Sequence, residues 1–179
     1  MKEFKVEKQN IEGVYKIISF QIEDDRGRTI KDYSEKVYQE LGIDFVPRET
    51  MRIKSKKNVL RGLHCQKYGG QEKLIQCIMG EIFTVVVDLR EDSETYLQTI
   101  SYRLKENDGM SILIPTGCAL GTLALKDSVL DYKCDKYYRA DYDIGIIWND
   151  EKLAIDWPSV GNILISKKDS NWKRVDEKD

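Results

Sequence analysis

One stretch of this chain sets polar side chains able to do chemistry inside an apolar, strand-like run: Asn58-Val59-Leu60-Arg61-Gly62-Leu63-His64-Cys65-Gln66. Imidazole titrates nearest to neutral pH, so a histidine among apolar neighbours suits a general base or acid. Strict alternation puts Leu60, Gly62, His64 and Gln66 on one face and Arg61 on the other. If Arg61 and His64 share a pocket, the strand must break its alternation, and Gly62 is the natural place for a bulge. The competing reading is a histidine satisfied by backbone partners. Lys73 opens the next apolar run, where an inward lysine is costly unless paired or facing solvent; an edge or snorkelling lysine is the alternative. Tyr132, in Val129-Leu130-Asp131-Tyr132-Lys133-Cys134, is one of ten tyrosines, and Asp169 passes locally for a solvated charge. None of these four is specific alone.

The elements that must position them read as an all-β fold. From about residue 58 short strands alternate with turn signals: Val59–Gln66, Lys73–Ile78, Glu81–Leu89, Leu97–Leu104, Met110–Ile114, Gly121–Leu125 and Val129–Cys134. Val85-Val86-Val87 suggests a strand covered on both faces, and Asn107-Asp108-Gly109 has residues that tolerate positive φ in a tight turn. One helix is predicted, capped by Asp32 with Glu35 completing a capping box, carrying a Val37, Tyr38 and Leu41 stripe and ending at Gly42. A second short helix can follow Ser166, and Lys173 to Asp179 is expected to fray. Many short strands with one early helix indicate a jelly roll or closed barrel, folds that place ligands in the barrel mouth.

Composition narrows the function. The 179 residues fit one domain spanning 1–179, and 29 basic against 31 acidic residues leave no basic patch for nucleic acid. No apolar stretch approaches a membrane span and the start lacks a signal-peptide core, so a cytoplasmic setting is expected. In that compartment Cys65, Cys77, Cys118 and Cys134 are expected to be reduced core residues. A single histidine cannot build the imidazole cluster typical of metal sites in small β-barrels, so no metal is expected.

Together the segments resemble the dTDP-4-dehydrorhamnose 3,5-epimerase family, cupin jelly-roll enzymes of deoxysugar biosynthesis. The resemblance runs from Asp25-Arg26-Gly27 through Ser55-Lys56-Lys57-Asn58-Val59-Leu60-Arg61-Gly62-Leu63-His64-x-Gln66 and Lys73-Leu74 to Gly80-Glu81-Ile82-Phe83 and Val87-Asp88-Leu89-Arg90. It continues through Ile114-Pro115-x-Gly117, Tyr132-Lys133, Tyr137-Tyr138, Ile147-Trp148-Asn149-Asp150 and Ser166-x-Lys168-Asp169. It implies a cupin barrel that inverts carbons beside the C4 ketone of a nucleotide-diphosphate 4-keto-6-deoxy sugar, without a cofactor. His64 would be the base, Asp169 its carboxylate partner, Lys73 the support of the enolate oxygen and Tyr132 the acid. Arg26 and Arg61 would hold the diphosphate, with Gln66 and Glu49 also on the substrate. Family members are usually homodimers formed by exchange of N-terminal strands.

The departures matter as much. Where the family has Ala then His after Pro-x-Gly, this chain reads Pro115-Thr116-Gly117-Cys118-Ala119-Leu120, which leaves Asp88 without its usual histidine partner. Glu49, Met51 and Ile53 stand near the family's Gln, Asn and Ser, so the nucleobase is open. A single-position epimerase on another sugar nucleotide, a cupin ketoisomerase and a non-catalytic sugar-nucleotide-binding cupin are the alternatives. A ketoisomerase of that type needs a histidine pair, which one histidine cannot supply.

Overall fold

The computed structural model describes residues 3–67 and 69–177. The strands, in chain order, are β1 (Lys5–Lys8), β2 (Tyr15–Ile18), β3 (Phe20–Asp24), β4 (Gly27–Lys31), β5 (Glu49–Ser55), β6 (Val59–Gln66) and β7 (Lys73–Met79). They continue with β8 (Glu81–Asp88), β9 (Thr99–Lys105), β10 (Met110–Ile114), β11 (Cys118–Ala124), β12 (Ser128–Cys134), β13 (Asp143–Gly145) and β14 (Leu164–Ile165). The helices are α1 (Glu35–Glu40) and α2 (Lys167–Ser170). One sheet runs β1-β2-β10-β7-β12-β5 and the other β13-β6-β11-β8-β9, with β14 added to β6; β3 and β4 pair only with each other as a hairpin.

This is the all-β jelly roll that the turn spacing predicts, and the cupin fold that the resemblance implies. The two sheets close over a shared core in which Ile75 and Cys77 of one meet Ile82, Val86 and Leu120 of the other. The opposite faces are covered too. Val85, Val87 and Leu63 pack under Ile146, Leu153 and Trp157 from the C-terminal segment, while Leu74 and Leu113 pack under Tyr38 and Phe45 from the α1 region. Both faces of β8 are therefore dry, which is why its sequence is a continuous β-branched run rather than an alternating one. All four cysteines are buried, and none is in a disulfide.

Three expectations need correction. The N-cap of α1 is Ser34, with no side-chain cap bond, and not Asp32. The Asp32 carboxylate is taken instead by Lys133 Nζ at 2.6 Å, so no capping box forms. The chain end is not frayed as far as it is described: Val175–Glu177 makes a 3-10 turn, and the Val175 N–H donates to buried Asp150 at 2.8 Å. Residues 178 and 179 lie outside the described residues. Seven strands, β1–β5, β13 and β14, were not expected from the pattern.

Candidate active site

β6 supplies the centre of the site by breaking its alternation. Against β11, Leu120 lies opposite His64 but Thr122 lies opposite Arg61, so three steps of β6 face two of β11. The irregularity sits at Gly62, whose φ is +104°, and a Cβ built there would come within 2.3 Å of the Leu120 carbonyl oxygen. Only glycine fits this turn of backbone. The bulge puts Arg61, His64 and Gln66 on one cavity despite their mixed parity. Gly62→Ala is expected to lose roughly 2–4 kcal/mol from left-handed strain and overpacking, read as a fall in the urea midpoint at constant slope.

That cavity, of about 690 Å³, lies between the sheets at one end of the barrel, within the size range of ligand pockets. Lys73, Tyr132 and Glu49 come to it from β7, β12 and β5, and Asp169 from α2. In the register Lys73 faces Cys134, which faces Glu49, and the next inward row is Ile75, Tyr132 and Met51. A larger opening, of about 960 Å³, beside Arg90 and Lys173 shares only Asp143 with the first and holds none of His64, Lys73 or Tyr132.

His64 Nε2 stands 3.7 Å from Asp169 Oδ1, within ion-pair reach and longer than a closed hydrogen bond. The imidazole is desolvated by the cavity walls, which lowers its pKa; Lys73 and Lys168 lower it further, while Asp169 and Asp143 act the other way. The net direction is down, so the ring is neutral at pH 7 and able to accept a proton. The Tyr132 hydroxyl is driven the opposite way: burial raises it well above a free phenol, outweighing the Arg61 charge and a hydrogen bond with Thr122, and keeps it protonated. Lys73 forms no ion pair among the described residues. A neutral base, a protonated phenol and an unpaired ammonium therefore share one space.

Gln66 is almost fully buried, and its amide N–H groups donate to the Arg139 carbonyl and, at 3.3 Å, to Asp143 Oδ1. With both donors fixed, its Oε1 has no partner among the described residues. Arg61 is steadied by Ser55 Oγ at 3.0 Å. Glu49 lines the cavity, but its Oε2 is engaged by Gln71 at 2.9 Å and by the Tyr138 N–H at 3.1 Å.

Arg26 is not brought to this site. It sits at the tip of the β3–β4 hairpin, 90% exposed, with its guanidinium closed on Asp24 at 2.6 Å. Asp88 does not lack donors: Arg90 takes both its oxygens at 2.8 Å, and Ser93 and Thr95 add bonds of 2.6 and 2.7 Å. Burial alone would raise its carboxyl, and these donors hold it well below the usual carboxylate range. Leu120 lines the cavity beside His64, its register partner on the neighbouring strand. Sequence reasoning missed Asp143, which also lines the cavity; the only signal was a charge just before the apolar Ile146-Ile147 run.

A cupin jelly roll whose cavity gathers an imidazole lowered in pKa, a protonated phenol and a lysine is a scaffold equipped for proton transfer. The model of the dTDP-4-dehydrorhamnose 3,5-epimerase family matches residues 8–177. The enzyme of that name from Methanothermobacter thermautotrophicus is 39% identical over 99% of this chain and 97% of its own length. Among solved structures, the Legionella pneumophila epimerase in complex with dTDP-4-keto-L-rhamnose superposes with a TM-score of 0.93 at 32% identity, covering 99% of this chain and 95% of that one. A 3'-monoepimerase from Streptomyces bikiniensis in complex with dTDP-quinovose gives 0.88 at 27% identity, over 94% and 86%. The chain belongs to the dTDP-4-dehydrorhamnose 3,5-epimerase family and is an isomerase acting on a nucleotide-linked 4-keto-6-deoxy sugar.

Proposed function

We propose that His64 removes a proton from a carbon beside the C4 ketone and that Tyr132 returns one from the other face. The observation that carries this is the opposed tuning of the two groups in one cavity, a base kept neutral and a phenol kept protonated. Lys73 would take the enolate oxygen, Asp169 the imidazolium that forms, and Arg61 a phosphate oxygen through its forked donors. The orphan Gln66 Oε1 suits a sugar hydroxyl, since a buried acceptor is costly until a donor meets it. No cofactor is called on, because the ketone is itself the electron sink.

Incubation in deuterium oxide with dTDP-, CDP- and GDP-linked 4-keto-6-deoxy sugars, read by mass spectrometry, is expected to place deuterium at C3, at C5 or at both. No label above an enzyme-free control with any donor removes the proposal. The labelled carbons report what Leu120 leaves of the double reaction, and the preferred donor names the base. Because His64 is the active form when neutral and its pKa is lowered, the acid limb of the kcat/KM profile is expected below the ordinary imidazole value of 6.5.

The working unit we propose is a cytoplasmic homodimer. Arg26, exposed on its hairpin away from its own cavity, could serve a diphosphate only in the cavity of a second copy. Sedimentation analysis is expected to show a dimer; a fully active monomer would exclude it.

A further inference from the structure

Asp169 reaches His64 from a helix with little of its own to hold it. α2 is a single turn of four residues, far short of a helix that is stable alone. Its N-terminal side is fixed by the parallel pairing of Leu164 and Ile165 with Val59 and Leu60 of β6, and by the Ser166 hydroxyl, which accepts the Asp169 N–H at 3.0 Å. Two side chains fasten the turn further. The Trp172 indole N–H points at Asp169 Oδ1 from 3.4 Å, its ring filling the space that a Cβ on Gly145 would need. The other is Lys168, whose Nζ meets Asp143 Oδ2 at 2.6 Å.

Asp143 is not an ordinary surface partner for a lysine. Its side chain is 14% exposed, and it opens β13 opposite Gln66, two residues before Gly145, which lies opposite His64. The Tyr138 hydroxyl donates to the same Oδ2 at 2.6 Å, and the Gln66 amide donates to Oδ1 at 3.3 Å. Burial works to raise its carboxyl, but the bonds from Lys168, Tyr138 and Gln66 outweigh it and hold the group below the usual carboxylate range. A charged, well-held anion thus stands on the strand beside the base and grips the residue next to Asp169.

We propose that Asp143 is a positioning residue: through Lys168 it fixes α2 against β6 and sets the approach of Asp169 to His64. The catalytic consequence rests on His64 being the base, whereas the placement itself does not. The charges that bear on His64 are Lys73 on β7, Asp169 and Lys168 on α2, and Asp143 on β13. Lys168 acts across space to lower the pKa of the ring, while the Asp169 it helps to hold raises it. The two roles of Lys168 therefore predict opposite signs.

His64 is the only histidine, so its imidazole can be titrated by NMR in the free protein without assignment ambiguity. Lys168→Met is expected to lower the His64 midpoint, because Asp169 is released; a rise means that Lys168 acts only as a distant charge and overturns the proposal. Asp143→Asn is also expected to lower it, with Asp143→Glu restoring it. In an Asp169→Asn background the Asp143→Asn shift should be largely lost, and a shift of full size there overturns the proposal. In the exchange assay Asp143→Asn should reduce kcat by about 10- to 100-fold with KM little changed, the cost of a misplaced group. Absence of exchange in the wild-type protein would remove the proposed function while the titrations still decide the positioning.

Discussion

His64→Asn is expected to abolish proton exchange into the sugar, a loss of about 10²- to 10⁴-fold, while the protein stays folded and still binds nucleotide. The side chain is 39% exposed toward the cavity and belongs to none of the buried clusters that close the barrel, so the core does not depend on it. Asparagine keeps a polar group of similar reach and removes the titration. What is lost is an acceptor whose affinity for a proton is set by the walls, two lysines and two carboxylates. Exchange measured at saturating sugar separates the chemical step from binding, and a thermal melt checks the fold. A variant that unfolds would mean that His64 is a structural residue, and one that exchanges at the wild-type rate would place the base elsewhere.

The bulge that brings this base into the cavity was legible in the sequence, since Arg61 and His64 differ in parity and only a break at Gly62 reconciles them. The strands from Val59 to Cys134 were legible for a related reason. Their apolar residues are either alternating or continuous, according to whether one or both faces are covered. β1, β4 and β5 carry no such signal. Lys5–Lys8, Gly27–Lys31 and Glu49–Ser55 are mostly exposed, so burial imposes no period on them. At the site, the four groups expected from the family resemblance meet in one cavity, but Arg26 does not join them. A motif match says nothing about which copy of the chain a hairpin serves. Asp143 was invisible because its role depends on β13 lying beside β6, a neighbour 77 residues away along the chain.

Leu120 bears on how far the reaction goes. It replaces a residue able to bond the base or the sugar with one that can only exclude water from the side of His64 that it adjoins on the neighbouring strand. Desolvation of the imidazole helps to keep it neutral, and a dry wall strengthens every charge interaction in the cavity. On the proposed roles, His64, Tyr132 and Lys73 supply one base, one acid and one ammonium, the parts for a single inversion. Whether the ring can be re-presented to the same pair for a second carbon is what the labelling pattern reads.

Lys73→Met is expected to reduce kcat by about 10²- to 10³-fold, roughly 2.7–4 kcal/mol, the usual cost of one donor to a developing oxyanion. Methionine nearly matches the stem in length and leaves the packing between Cys134 and Ile114, the register partners of Lys73, undisturbed. The ammonium has no carboxylate to neutralise it among the described residues, so its charge is free for an enolate that exists only once the proton has left. KM should change little, since the ketone itself carries no charge to be held. A second effect separates this role from a structural one. Lys73 lowers the pKa of His64, so its removal raises it, and the acid limb of kcat/KM moves to higher pH. A fall in kcat without that movement would mean that Lys73 does not face the base, and a variant with wild-type kcat would assign the enolate oxygen to another donor in the cavity.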